Sequence, residues 1–567
     1  MNTIPRNEHP NPQFERKNYV NLNGEWDFEI DNSESGEARG LIEKDSLSGK
    51  IIVPFCPESE LSGVGNKDFM RCVWYKKKVT MPEGFDKGEV ILTVGACDYR
   101  TKIWVNGTFC TEHIGGFTPI TVAIGSKLKA GENVITVCAY DNTRSGLQPG
   151  GKQSTQYGSY GCFYTRTTGI WQTVMLEFVP KAYITSVKYD TLPTGSVTVT
   201  AELENAHGMQ FGAEISFEGK TVATGTSKVE GKLAYLSFNI DDVKLWDITS
   251  PNLYDVKLTL GDDTVYSYFG IRTICYNDHR MYLNGRSIFG RFILDQGYYP
   301  DGILTAPTAE ALENDIKLSM AYGYNGARLH QKIFEPRFLY YCDKLGYMVW
   351  DEHANWGLDI SKPESWKGFI SEWCEIMKRD RNHPSIIGWC PFNETQQNQD
   401  PQIIRDVYNI TKLTDPSRLF VDASGWFHVD GVCDMMDCHC YDQDYKELIK
   451  KVRYHEGVDY KGVPFTDDLC FVSEFGGIRW DLESEVGTWD SGSWGYGNAP
   501  VTAEEFIERY RNLVTCILED EKICAFCYTQ LTDVEQERNG LYTFSRQPKF
   551  DAETIRKITA QKAACED

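Results

Sequence analysis

The chain has 567 residues, 41% hydrophobic and 25% charged, and its 58 basic against 81 acidic side chains give a net charge of −23. This length exceeds one core and predicts three or more domains. The acidic balance, with no basic block, argues against nucleic acid or a membrane surface as partner, and no segment approaches the ~20 apolar residues of a membrane span.

Met1–Pro10 lacks the apolar centre of a signal peptide, which predicts a cytoplasmic protein. Its 18 cysteines then read as reduced thiols rather than a disulfide framework. Neither Cys524-x-x-Cys527 nor Cys438-His439-Cys440 has a second half at zinc spacing, so no metal or other cofactor is expected. The 14 Trp, 31 Tyr and 28 Phe suit packing in β-rich domains, with some as platforms for the C–H faces of sugar rings.

Residues 1–180 read as antiparallel β. Strand runs within Glu89–Val105 end at Asn106-Gly107, a hairpin signal, and short strands at this spacing predict a sandwich or jelly roll. A polar loop runs from Asn142 to Gly169, and a loop of that length in a compact domain has a task or is mobile; it is expected to lean toward the active site. Residues 181–276 alternate again at Tyr183–Tyr189 and Tyr254–Leu260, and their number suits an immunoglobulin-like sandwich.

Residues 277–567 change period. After a hairpin at Asn284-Gly285, strands are expected at Ser287–Leu294, Tyr324–Leu329, Tyr347–Trp350, Ile386–Phe392, Leu419–Asp422, Met435–His439, Leu469–Ser473 and Cys524–Tyr528. Helices are expected at Thr308–Tyr322, Phe334–Leu345, from Thr502 with Glu505 as a capping box, and at Asp551–Ala563. Eight such alternations predict a (β/α)8 barrel, whose strand tips form the catalytic face. Two apolar strands there end on glutamates, Asn393-Glu394 and Ser473-Glu474. A buried carboxylate at such a tip is costly without a task, so the two read as a pair facing one substrate.

The chain resembles glycoside hydrolase family 2, which holds β-galactosidases, β-glucuronidases and β-mannosidases. The resemblance rests on Tyr19-Val-Asn-Leu-Asn-Gly-Glu-Trp26, Gly169-Ile-Trp171, Phe269-Gly-Ile-Arg272, Arg381-Asn-His-Pro-Ser385 with Asn393-Glu394, and Ser473-Glu-Phe-Gly476. It implies a jelly roll, an immunoglobulin-like domain and a catalytic (β/α)8 barrel in that order. It further implies a retaining glycoside hydrolase with Glu394 as acid/base and Glu474 as nucleophile, and the two added β domains with the Asn142–Gly169 loop suggest a pocket and therefore exo action. Asn393 then bonds the sugar 2-OH, Arg328 orients the nucleophile, and Tyr441 stands beside it. His330 lies near the family's histidine position but in a different spacing, and His439 is either a ligand contact or a satisfied barrel histidine.

Asp295 is read as a partner for a sugar hydroxyl, and Trp426 and Trp480 as candidate ring platforms or core residues. Tyr528 is placed where the family usually has tryptophan, with Gln530 and Glu537 as neutral and acidic hydrogen-bond partners. The Asn-x-Lys motif by which family glucuronidases hold the sugar carboxylate is missing from Glu535-Gln-Glu-Arg-Asn-Gly540. The expected glycone is therefore a neutral sugar, galactose first, with β-galactofuranose or α-L-arabinofuranose as alternatives and a non-catalytic carbohydrate-binding protein as the reading from another class. The expected partner is a carbohydrate, in a protein that forms either a monomer or a homo-oligomer.

Overall fold

A computed structural model describes residues 4–396, 398–454, 469–482 and 492–567. The N-terminal jelly roll packs two sheets face to face. One orders Gly49–Val53, Gly24–Ile30, Cys72–Thr80, Glu132–Tyr140, Arg100–Val105 and Thr108–Ile114; the other orders Tyr19–Asn21, Val174–Val179, Glu89–Val94 and Ile120–Ala123. Every second side chain turns inward, so Trp26, Tyr75, Ile103 and Val137 meet Val90, Leu92 and Leu176 in one core. At the Asn106-Gly107 turn both residues have positive φ, 50° and 77°, the geometry that matches the twist of the strands it joins.

The second sandwich sets Tyr183–Thr191, Ser196–Glu204 and Leu233–Asn239 against a sheet ordered Lys220–Lys228, Gln210–Phe217, Tyr254–Leu260 and Asp263–Phe269. It is fastened to the barrel by motif residues that do no chemistry. The Arg272 guanidinium donates to the carbonyls of Pro384 and Ile386. Asn382 bonds the backbone of Val187 and Tyr189, and the Tyr268 hydroxyl donates at 2.7 Å to Asp343, which within the barrel also holds His383. Two of the stretches that carry the family resemblance thus fix where one barrel strand begins.

That barrel has strands β1 (Gly290–Asp295), β2 (Gly326–Leu329), β3 (Met348–Glu352), β4 (Ile386–Cys390), β5 (Leu419–Phe420), β6 (Met436–Cys440), β7 (Leu469–Gly476) and β8 (Ala525–Thr529). They pair in parallel in the order 5-4-3-2-1-8-7-6. Around them lie α1 (Ala309–Ala321), α2 (Pro336–Leu345), α3 (Pro363–Asp380), α4 (Pro401–Thr414), α5 (Tyr445–Tyr454), α6 (Ala503–Leu518) and α7 (Ala552–Thr559). Thr308, Thr502 and Asp551 cap α1, α6 and α7 by accepting from main-chain N–H groups of the first turn. The lumen below the mouth is filled by Phe471, which stacks on Trp350 at 5.6 Å and meets Phe292 edge-on at 5.8 Å.

The run expected as one strand, Ser287–Leu294, is two. Arg286–Ile288 completes a hairpin with Arg280–Leu283, and the chain crosses at Phe289 before β1 begins. No clean seam divides the jelly roll from the barrel. Cys56, Ala96, Phe117, Tyr164 and Trp171 belong to the same buried cluster as the barrel core. All 18 cysteines are free thiols, none of them in a disulfide. No helix of the described residues is long and apolar enough to cross a membrane.

Candidate active site

Parallel strands bring their C-terminal tips to one end, and the polar residues gather there. Arg328 on β2, 1% exposed, is the hub. Its Nε and one terminal nitrogen donate to Glu352 Oε2 at 3.1 and 2.6 Å. The same terminal nitrogen reaches Asn393 Oδ1 at 2.9 Å, and the other donates to Glu474 Oε1 at 3.1 Å and the Ser473 carbonyl at 2.8 Å. A guanidinium suits this position because its donors lie in a fixed planar fork and its charge is permanent.

Glu474 on β7 also accepts from the Tyr441 hydroxyl at 2.5 Å, and His439 Nε2 lies 3.4 Å from it. Burial opposes its ionisation, but His439, Arg328, His330 and Lys152 outweigh that and bring the carboxyl down to about 2. Glu474 is therefore an anion at any ordinary pH. Glu352, at the tip of β3, accepts from Arg328, His330 and Gln331; these partners overcome burial and hold it far below the usual carboxylate range.

Glu394 follows β4 in a left-handed conformation, φ 51°, rare for a residue with a Cβ. Its N–H donates to the carbonyls of Ala423 and Ser424, so the turn after β4 is tied to the segment after β5. The side chain meets His439 Nδ1 at 2.7 Å. His439 therefore bridges the two glutamates, and although burial works against its charged form, Glu474 and Glu394 raise its pKa. One oxygen of Glu394 and one of Glu474 lie within 4.8 Å of each other and of a His439 nitrogen. Among the described residues these three alone have the spacing of a metal-ligand set, and the bridging histidine accounts for that closeness. Asn393 is fully buried; its carbonyl accepts from Asn355 and Trp356, while its Nδ2 has no partner.

Other residues expected at the site fall in different places. Asp295 does not face it. In the paired register Leu294 is level with Arg328 and Asp295 with Leu329, so by the two-residue period Asp295 turns outward. There it lies near Asp315, Lys332 and Arg546, burial and Asp315 raising its pKa to about 6. Tyr528 also turns away, packing on Phe475 and Tyr510. It is the next residue, Thr529, whose hydroxyl meets that of Tyr441 at 2.9 Å. Trp480 is a core residue against Phe506 and Phe550, whereas Trp426 is 46% exposed near the mouth. His330 is buried beside Glu352 at 2.9 Å, and burial lowers its pKa, which favours the neutral ring. Gln530 donates to Asn539 Oδ1 at 2.8 Å, and Asn539 donates to Glu537 at 3.0 Å.

The Asn142–Gly169 loop does reach the barrel mouth. Gly150 N–H bonds the Trp356 carbonyl at 2.7 Å, Gln536 donates to the carbonyls of Gly161 and Phe163, and the Tyr164 hydroxyl donates to Glu537 at 2.5 Å. Lys152 lies over the Trp356 ring at 3.8 Å. Tyr496 stacks flat on Tyr441. Glu352, Lys152, Tyr164, Asn355, Trp356, Tyr496 and Thr529 complete a site that sequence reasoning named only in part.

Three family models, the sugar binding domain (residues 64–180), glycosyl hydrolases family 2 (178–272) and the TIM barrel domain (305–459), together match well over half of the sequence. A putative β-glucuronidase of Formosa agariphila is 28% identical over 57% of this chain and 39% of its own length. A β-galactosidase of Thermoanaerobacterium thermosulfurigenes is 29% identical over 61% and 49%. The chain thus spans less than half the length of these two curated relatives. A β-glucuronidase from Ruminococcus gnavus, solved with D-glucuronic acid, shares the fold with a TM-score of 0.78 at 19% identity, covering 98% of this chain and all of that one. With all three of its domain models matched in order, the chain belongs to glycoside hydrolase family 2.

Proposed function

We propose that the protein is a retaining exo-glycosidase that releases a terminal neutral sugar by double displacement. The observation that carries the reading is the approach of one Glu394 oxygen to one Glu474 oxygen within 4.8 Å. Retaining glycosidases hold their two carboxyls about 5–5.5 Å apart, whereas inverting ones leave room for a water.

Glu474, kept ionised by Arg328 and His439, attacks the anomeric carbon. Glu394 gives its proton to the departing oxygen. A glycosyl ester forms on Glu474; Glu394, now a carboxylate, takes a proton from water, which cleaves the ester with a second inversion. His439 lies between both carboxylates and shares the proton balance as charge moves from one to the other. Tyr441 releases Glu474 Oε2 as that oxygen becomes the ester. The unpartnered Asn393 Nδ2 suits a hydrogen bond to the sugar 2-OH.

Charge supports a neutral glycone. Glu352 and Glu474, both held ionised, already balance Arg328 and Lys152, so the pocket offers a further carboxylate no surplus of positive charge. The loop of the jelly roll across the mouth supports action on chain ends. A uronide is the second reading, favoured by the relatives named β-glucuronidases. A panel of nitrophenyl pyranosides, furanosides and uronides tests both, with NMR following the anomer first released. Turnover of a neutral β-glycoside with retention is expected. Exclusive turnover of glucuronides overturns the neutral glycone, and inversion overturns the mechanism.

A further inference from the structure

The jelly roll contributes one cation, Lys152, whose charge helps to hold Glu474 ionised but which has no step of its own in double displacement. Lys152 sits in the loop from Asn142 to Gly169, its carbonyl accepting from Tyr164 N–H at 2.7 Å. The preceding glycines are fixed to the barrel: Gly151 N–H bonds the carbonyls of Ala354 and Trp356, and a Cβ at Gly151 would lie 2.3 Å from the Gln331 carbonyl oxygen. The lysine is therefore delivered by a rigid segment. It is 6% exposed, with its ammonium over the indole of Trp356. Among the described residues no carboxylate lies within 4.0 Å of Nζ and no acceptor takes a hydrogen bond from it. Its charge is balanced at longer range: burial disfavours it, but Cys162, Glu537, Glu474 and Glu394 leave its pKa raised. The indole beneath it donates to the Asn393 carbonyl, next to Glu394, so this ammonium without an acceptor of its own lies on the wall of the glutamate pocket.

Glu537 stands opposite in the charge balance: burial raises its pKa, with Lys152, Tyr164 and Asn539 working against that rise. Its oxygens accept from Tyr164 and Asn539, and each keeps a further lone pair. A cation short of an acceptor and a carboxylate with spare acceptor capacity fit a group that both accepts and donates. A sugar hydroxyl does both; a uronate carboxylate has no proton to give and would face Glu537 as a like charge.

We propose that Lys152 is a specificity residue of the glycone pocket, its ammonium donating to a ring hydroxyl of the terminal sugar that in turn, directly or through its neighbour, donates to Glu537. The proposal rests on the neutral-glycone reading and adds to it that the jelly roll, not the barrel, reads part of the sugar.

The test uses the full chain, the neutral nitrophenyl glycoside it cleaves best, and the 3-, 4- and 6-deoxy analogues of that glycoside. Lys152→Met keeps the apolar stem on Trp356 and removes the charge. It should lower kcat/KM on the parent glycoside by roughly 10- to 100-fold, the range for a hydrogen bond to a charged group. On one deoxy analogue the variant and wild type should agree within about threefold, because the hydroxyl that Lys152 reads is already gone. A purely structural role would lower all four substrates alike and overturns the proposal. So does a variant equal to wild type throughout, which leaves neutral-sugar hydrolysis intact. If wild type cleaves only glucuronides and Lys152→Met abolishes that, the lysine reads a carboxylate, and the proposal and the neutral-glycone reading fall together; loss of neither on that substrate rejects both as well. A wild type that cleaves no glycoside defeats both. Should Lys152→Met fail to fold, Lys152→Gln and Lys152→Arg give the same comparison, with arginine expected to keep part of the discrimination.

Discussion

Replacing Arg328 tests the electrostatics of the pocket most directly. Arg328→Met leaves Glu352 and Glu474 buried without their shared cation, and removing one partner of a buried ion pair costs about 3–5 kcal/mol. Glu474 stands at about 2 against an ordinary 4.5, which at 1.36 kcal/mol per unit is about 3 kcal/mol of preference for the ionised form. Since the folded-state pKa is depressed, this stability is present above pH 4.5 and is lost as pH falls toward 2. Arg328 supplies part of that preference, behind His439 and ahead of His330 and Lys152. Without it, the acid limb of the kcat/KM profile, which reports the free enzyme, should rise by about one unit. The mid-range rate should drop about 100-fold or more through lost alignment of the nucleophile. Arg328→Lys keeps the charge but cannot reach Glu352, Glu474, Asn393 and the Ser473 carbonyl from one fork; it should restore the acid limb more than the rate. Full pH–rate profiles and thermal midpoints of the three proteins decide it. An Arg328→Met enzyme within threefold of wild type, with an unmoved acid limb, would refute the assignment to Arg328 of a share in holding Glu474 ionised and aligned.

Glu474→Ala should abolish turnover, and azide should restore it with the opposite anomer as product, seen by NMR. Glu394→Ala should spare dinitrophenyl glycosides, whose leaving group needs no proton, while slowing alkyl glycosides by about 100-fold or more, as kinetics on a leaving-group series will read. Gly425→Ala should also impair catalysis although Gly425 makes no chemical contact: its φ is 88°, and a Cβ there would lie 2.2 Å from the His439 ring. The imidazole must then leave its place between the glutamates, and the pH profile should change along with the rate. An unchanged profile would mean that His439 does not couple the two carboxylates.

The strand tips were legible because a short apolar run that stops on a polar residue marks itself. Glu394 and Glu474 stood out in this way, whereas Arg328 was named only through the family resemblance. Glu352 carries the same signature, Asp-Glu after an apolar run, but the expected strand stopped at Trp350 and passed it by. Asp295 and Tyr528 were misplaced for a different reason. Strand parity decides which side chains face the lumen, and a reading without register cannot separate Tyr528 from Thr529. Lys152 and Tyr164 lay hidden because they approach the barrel from a domain closed more than a hundred residues earlier. Composition marked their loop as purposeful, yet only the docking of Gly150 and Gly151 shows which side chains enter the pocket. The motifs around Arg272 and Arg381–Ser385 look catalytic by association but act as fasteners between domains.

The cluster that joins Phe117, Tyr164 and Trp171 to the barrel interior has a consequence for modularity. An excised barrel beginning near residue 277 would present that apolar face to water and would lack one wall of its own pocket. Natural recombination that exchanges barrels between relatives would therefore have to carry the partner sandwich along, so that the two are inherited as one piece.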